Sequence, residues 1–306
     1  MRVVFMGTPT FALRPLEALL ASRHEVVAVV TQPDKPGDRG AVSVSAVKKY
    51  ALTRGLPVLQ YARVSKEGVD ELRDLHADIF VTAAYGQILS RAILDAPRYG
   101  VVNIHASLLP KYRGSSPVQW ALINGEKETG VTIMQTAEGL DTGDILMAER
   151  IPIGPDDDAG TLLDKLSELG ASAIVRFLDE LENGGAVHGT PQNEAEATYY
   201  PMLKRSDGKI DWTMDAARVL DRMRGMRPWP GTYFVLRGKT VKLHVATLAE
   251  GEGRPGEVLS ADKHGLIVAC GHGALALTEL QAEGKKRMGS ADFLNGNALK
   301  AGEVLE

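Results

Sequence analysis

From Arg2 to Leu181, apolar residues come in short continuous runs that alternate with stretches of helical period. Runs such as Val26-Val27-Ala28-Val29-Val30 have no polar face, as strands covered on both sides require. They predict strands at Arg2–Met6, Glu25–Thr31, Asp78–Ala84, Val101–His105 and Val131–Gln135. Between them, helical patterns run at about Phe11–Leu20, Ser45–Arg54, Lys66–Leu75, Ile88–Leu94 and Pro117–Ile123. A long amphipathic helix over Ala159–Leu181 follows and is stopped by Asn183-Gly184-Gly185. This order predicts an α/β domain with a parallel-rich sheet joined by crossover helices.

The period then vanishes. Residues 186–203, rich in Gly, Pro, Asn, Gln and Thr up to Tyr200, read as a linker between a domain of residues 1–185 and one of residues 204–306. Beyond it, a helix at Asp215–Arg224 carries Ala216, Val219, Leu220 and Met223 on one face. Short strands at Thr232–Leu236, Thr240–Leu248, Gly256–Ser260, Leu266–Ala269 and Ala274–Leu280, separated by Gly-rich turns, predict a small barrel or sandwich.

Composition narrows the class. The chain has 306 residues, 44% hydrophobic and 24% charged, as ordinary globular proteins do. One cysteine, Cys270, excludes an internal disulfide framework and fits a reducing compartment. No apolar run approaches the ~20 residues of a membrane span and no leader is expected before the first strand, so the reading is cytoplasmic. The net charge of −4 is uneven: from Lys204 onward there are 16 basic and 13 acidic residues, a local balance of +3 against −7 for the remainder. Arg218, Arg222, Arg224, Arg227 and the run Lys285-Lys286-Arg287 are candidates for a phosphate-binding surface, and Trp229 between two prolines reads equally as a core or turn residue.

The candidate chemistry sits at the end of one strand. Side chains alternate along a strand, so Asn103 and His105 share a face. Such a pair suits stabilising a polarised carbonyl and moving a proton. Gly139-Leu140-Asp141-Thr142-Gly143-Asp144 follows the next strand and is expected at the carboxyl edge of the sheet, where open α/β sheets bind ligands. No serine sits in a nucleophile elbow, and the seven histidines form no metal-ligand spacing. Direct transfer between bound substrates is therefore expected, with no metal. Met6-Gly7-Thr8-Pro9 stands where a dinucleotide turn would, but Gly7 is alone and Pro9 offers no N–H, which argues against a nicotinamide cofactor.

The segment Asn103-Ile104-His105-Ala106-Ser107-Leu108-Leu109-Pro110-Lys111-Tyr112-Arg113-Gly114, with Gly130–Gln135 and Gly139–Asp144, resembles the signature of folate-dependent formyltransferases. The resemblance extends over nearly the whole chain. Phe5-Met6-Gly7-Thr8-Pro9, Thr31-Gln32-Pro33-Asp34-Lys35-Pro36, Arg227-Pro228-Trp229-Pro230-Gly231 and Gln281–Met288 are similar to the branch that formylates methionyl-tRNA. It implies a Rossmann-like domain, a linker and an OB-like tRNA-binding barrel. It also implies 10-formyltetrahydrofolate as one-carbon donor and methionyl initiator tRNA as acceptor, with the chain expected to act as a monomer away from membranes.

By the same resemblance, Asn103, His105 and Asp141 form the catalytic set. Ser107, Leu108, Leu109 and Pro110 line the folate site, and Tyr85 and Gly86 of the Ala83-Ala84-Tyr85-Gly86 loop enclose the pterin together with the residues just before Asp141. Asn103 and His105 would stabilise the oxyanion formed when the amine attacks the formyl carbon, while Asp141 orients His105 and helps take the amine proton. Lys35 and Arg39 are the expected contacts to the tRNA acceptor end, although Ala41-Val42-Ser43-Val44-Ser45 replaces further lysines seen in that loop of the family. The competing reading is a folate-dependent transferase acting on a sugar nucleotide or a purine-precursor amine.

Overall fold

The computed structural model describes residues 1–36, 42–185 and 187–306, so Arg39 lies outside the described residues. The chain forms two compact units. The first holds Met1–Pro117, Glu128–Pro152 and Thr161–Pro201, and the second holds Val118–Lys127, Ile153–Gly160 and Met202–Glu306. The stretch read as a linker is thus divided, with 187–201 packed in the first unit.

In the first unit, β1 (Arg2–Gly7), α1 (Leu13–Ala21), β2 (Glu25–Thr31), α2 (Ala46–Thr53), β3 (Val58–Gln60), β4 (Ile79–Ala83) and β5 (Val101–His105) follow the expected alternation. Helix α2 starts where Ser45 accepts a hydrogen bond from the Lys48 backbone N–H, an ordinary N-cap. The helix expected at Lys66–Leu75 is broken at Gly68 into Val64–Glu67 and Val69–Asp74, and only Arg91–Leu94 of the one expected at Ile88–Leu94 is helical.

After α3 (Pro117–Ile123), which belongs almost wholly to the second unit, come β6 (Glu128–Gln135), β7 (Ile145–Pro152) and α4 (Ala159–Glu182). The strand order is β7-β6-β5-β4-β1-β2-β3. The five strands from β5 to β3 run parallel. Strand β6 is antiparallel to β5, and β7, which the hydrophobic pattern did not reveal, is antiparallel to β6. At the sheet edge β7 is half exposed along its length, so it carries no continuous apolar run.

Helix α4 covers one face of this sheet. A Cβ on Gly170 would lie 2.7 Å from Ile104 Cγ2, so the helix approaches β5 at the closest distance a side chain allows. Ile104 points to that face, which leaves its neighbours Asn103 and His105 on the other. Gly7 has a similar packing reason: a Cβ there would lie 2.7 Å from Ala12 Cβ and 2.9 Å from the Ala83 carbonyl.

In the second unit, α5 (Ala216–Met226) precedes β8 (Thr232–Leu236), β9 (Lys239–Ala249), β10 (Val258–Asp262), β11 (Gly265–Ala269), β12 (Ala274–Ala282) and α6 (Ser290–Gly296). The strands form an antiparallel sheet in the order β8-β9-β12-β11-β10. The segment Gly302–Glu306 bridges the two edges, with Val235 N–H donating to Glu306 and Val258 N–H donating to Glu303. Covering both edges turns the sheet into a barrel around Phe234, Leu277, Leu280 and Phe293, with Val219 and Met223 of α5 in the same core.

Candidate active site

Asn103 and His105 lie at the carboxyl end of β5. Thr82 on β4 pairs with Asn103 in register, and its hydroxyl donates to Asn103 Oδ1 at 2.8 Å. This turns the amide nitrogen away from β4, and Nδ2 has no partner among the described residues. His105 is buried, with Nε2 3.0 Å from the Tyr112 carbonyl oxygen. A carbonyl only accepts, so Nε2 carries a proton and Nδ1 remains for chemistry.

Asp141 reaches this pair by an unexpected path. Because β6 runs antiparallel, its last residue, Gln135, sits opposite Val102 near the start of β5, not at the carboxyl edge expected from a parallel strand. The loop from Thr136 to Asp144 nevertheless brings Asp141 Oδ2 to 3.8 Å from His105 Nδ1. That is an ion-pair distance but too long for a direct hydrogen bond. Oδ2 accepts from the Gly114 backbone N–H at 2.8 Å, and Asp141 itself adopts a left-handed backbone with φ 53°. His105 is therefore oriented by the Tyr112 carbonyl, and Asp141 faces its free nitrogen.

The loop after β5 is held from inside. Ser107 is fully buried, and its hydroxyl donates to the Lys111 carbonyl at 2.8 Å. Its carbonyl accepts from Thr132 Oγ1 at 2.7 Å, and Thr132 Oγ1 accepts from the Leu109 N–H at 3.1 Å. Ser107 thus shapes the loop, Leu109 is buried, and Leu108 and Pro110 are the members left half-exposed.

Tyr85 is likewise a core residue. Its ring packs with Val4, Met6 and Phe80, and burial pushes its hydroxyl up to about 12. Its backbone carbonyl, held by Gln32 Nε2 at 3.1 Å, and the exposed Gly86 at φ 82° are what this loop presents. Two apolar side chains stand out in solvent on the loops after β4 and β6: Ile88, 85% exposed and given no role by the sequence, and Leu140, 61% exposed, just before Asp141. Lys35 is exposed.

The sequence reading also passed over Arg113, quoted as part of the motif but given no role. It is fully buried and donates to Glu194 Oε1 at 2.7 Å, to Gln192 Oε1 at 2.8 Å and to the Tyr199 hydroxyl. The guanidinium holds the Glu194 carboxyl below its ordinary range through that hydrogen bond. Gln192 Nε2 in turn donates to the carbonyls of Asp141 at 2.8 Å and Gly143 at 2.6 Å. Thr198 Oγ1 accepts from the Tyr112 N–H at 2.8 Å, and the rings of Tyr112 and Tyr200 stack 5.0 Å apart. A run of polar residues without apolar period gives no local signal of such contacts, since their partners lie up to 86 positions away.

One set of described His, Asp and Glu residues has metal-ligand spacing: His24, Asp179 and Glu182. Arg23 already pairs with Asp179 at 2.7 Å and Glu182 at 3.0 Å. In the second unit the candidate phosphate-binding arginines are engaged as structural staples. Arg218 donates to the Asn124 carbonyl, Arg222 to that of Asp207, Arg224 to Asp221 and the Gly154 carbonyl, and Arg227 to that of His244. Arg287 pairs with Glu279, which leaves Lys285 and Lys286 exposed and without ion pairs among the described residues. Trp229 is 50% exposed, so it is not a core residue.

Residues 1–178 match the family described as Formyl transferase, and residues 202–298 match its C-terminal domain. A methionyl-tRNA formyltransferase of Geobacter sulfurreducens is 49% identical over 100% of this chain and 96% of its own length. One of Caldanaerobacter subterraneus is 47% identical over 100% of both chains. Among solved structures, an N-formyltransferase from Helicobacter canadensis with folinic acid and dTDP-3-aminofucose superposes with a TM-score of 0.67 at 19% identity, covering 90% of this chain and 98% of that one. HypX from Aquifex aeolicus, solved with tetrahydrofolic acid, gives 0.65 at 20% identity over 96% of this chain and 47% of that one. At those identities the two structures show a shared fold.

Proposed function

Because the chain belongs to the methionyl-tRNA formyltransferase family, we propose that Asn103, His105 and Asp141 carry its reaction, the transfer of a formyl group from formyl-tetrahydrofolate to the free amino group of methionyl initiator tRNA. The donor is the N10-formylated folate, and the chain acts as a cytoplasmic monomer. The observation that supports the site most is the pair of vacant nitrogens: Asn103 Nδ2, fixed by Thr82, and His105 Nδ1, fixed by Tyr112.

The folate supplies an activated formyl carbon. Around it, Asn103 Nδ2 donates to the formyl oxygen as negative charge develops there. His105 donates to the same oxygen when Nδ1 is protonated, and the Asp141 carboxylate at 3.8 Å is the counter-ion for that state. Asp141 also accepts the proton released by the attacking amine, directly or through a water, as the tetrahedral intermediate forms; on its collapse the bond from the formyl carbon to N10 of the folate breaks and N10 takes up a proton. The apolar surfaces of Ile88, Leu140, Leu108 and Pro110, with backbone polar groups at Tyr85–Gly86, suit a flat heterocycle that is apolar on its faces and polar at its edges. On the second unit, Lys285 and Lys286 are the proposed phosphate contacts, with Lys35 and Arg39 proposed for the acceptor end.

The test is formylation with methionyl initiator tRNA, methionyl elongator tRNA and an amino-sugar nucleotide as parallel acceptors. Formylation of the initiator alone is expected. Formylation of the sugar amine in its place would overturn the acceptor.

A further inference from the structure

We propose that Gln192 is a positioning residue for formyl transfer, holding the Asp141 loop in its reactive geometry from a segment 51 residues further along the chain. The proposal rests on Asp141 being a member of the reacting set, and it concerns what keeps that carboxylate in place.

Asp141 occupies a left-handed backbone conformation that an L-residue avoids unless its surroundings impose it. Loop residues 137–140, just before it, are exposed, while Gly143 after it is buried and the Asp144 carbonyl accepts from the Gln135 N–H at 2.9 Å. Gln192 holds the stretch between by its backbone carbonyls. Both protons of the Gln192 amide are used on this loop, one on the Asp141 carbonyl at 2.8 Å and one on the Gly143 carbonyl at 2.6 Å. The amide oxygen accepts two N–H bonds from Arg113, from Nε at 3.0 Å and Nη2 at 2.8 Å. Every hydrogen-bonding site of the amide is thereby filled, and its orientation is forced. A flipped amide would set N–H against the guanidinium donors and oxygen against two carbonyls.

Arg113 is itself clamped by Glu194 and Tyr199 and is fully buried, so Gln192 hangs from a fixed point. At the other end of the loop's grip, the Gly114 N–H adjacent to Arg113 holds Asp141 Oδ2 at 2.8 Å. Backbone and side chain of Asp141 are thus fixed by neighbours of one buried cation. Gln192 touches no reacting atom; it acts through the position of Asp141.

Two substitutions separate positioning from packing. Gln192→Glu keeps the shape and still accepts from Arg113, but places a carboxylate against the Asp141 and Gly143 carbonyls. Positioning predicts that kcat for formylation falls about 10- to 100-fold, as a displacement of about an ångström does, with KM for formyl-folate and for the tRNA within about two-fold of wild type. Hydrogen exchange of the peptide spanning residues 137–144 is expected to quicken about ten-fold or more while the strands keep their protection. Gln192→Met, of similar volume and without either hydrogen-bonding end, should give the same kcat loss and keeps the test open if the Glu variant fails to fold. Wild-type kcat in either folded variant, or unchanged exchange in the 137–144 peptide, would overturn the proposal. Absence of formylation by the unsubstituted enzyme would instead overturn the family-based reading of the reaction, while the exchange measurement would still report on the loop.

Discussion

The proposed reacting groups and the residues that support them differ in how completely their hydrogen bonds are used. Asn103, His105 and Asp141 each have one end tied and, among the described residues, one end without a hydrogen-bond partner: Oδ1 is tied to Thr82, Nε2 to Tyr112 and Oδ2 to Gly114. Gln192 and Arg113 are engaged at both ends, to each other and to fixed carbonyl or carboxylate partners. The difference teaches a way to tell a reactive group from a support when both are polar and both lie in the same site. A free donor or acceptor on an otherwise fixed side chain is available to a substrate, whereas a saturated one can only hold its neighbours.

The strongest way to break the comparison is to remove a free end. Asn103→Ala and His105→Ala are each expected to lower kcat ~10²–10³-fold, the usual loss of an oxyanion donor, with tRNA binding largely intact in a filter-binding assay. Near-normal turnover in either would place the chemistry elsewhere.

Removing a support should act on stability first. Glu194→Ala takes a charged partner from the buried Arg113, and a lower urea midpoint of unfolding is expected. The same pair has a signature in pH. Its hydrogen bond to Arg113 holds the folded Glu194 carboxyl below its ordinary 4.5, so its contribution is fully present above that value and is lost as pH falls through the lower, folded one. The stability gap between wild type and Glu194→Gln should therefore be widest above pH 4.5 and shrink on acidification below it.

The smallest effect is expected far from this network, where charge is neither reactive nor buried. Lys285→Ala and Lys286→Ala should leave kcat unchanged and each reduce the slope of log affinity for tRNA against log salt by about one. Equal slopes in the double variant would remove these lysines from the phosphate-contact surface.

How much of this was legible in the sequence follows from what kind of contact each residue makes. Strands β1, β2, β4 and β5 show as apolar runs because both of their faces are covered. Edge strand β7 does not, being half exposed, and without it the direction of β6 and the path of the Asp141 loop were misjudged. Asn103 and His105 were readable as a pair because strand alternation is local. The inward turn of Ser107 and the core position of Tyr85 were not, because each is decided by a neighbour from another element. Charge was legible only in part: Arg218, Arg222, Arg224 and Arg227 read as a cationic face, and their hydrogen bonds to backbone carbonyls within their own unit gave no local signal.

The order in which these parts leave the ribosome has a consequence of its own. Asn103, His105 and Asp141 are all synthesised before the Gln192–Tyr200 segment, and the Arg113–Glu194 pair spans 81 residues. A nascent chain that has exposed the whole central sheet still lacks the clasp on its aspartate loop and the stacked ring beneath Tyr112. The grip on the aspartate loop therefore cannot form until the Gln192–Tyr200 segment has been made, however early the sheet folds.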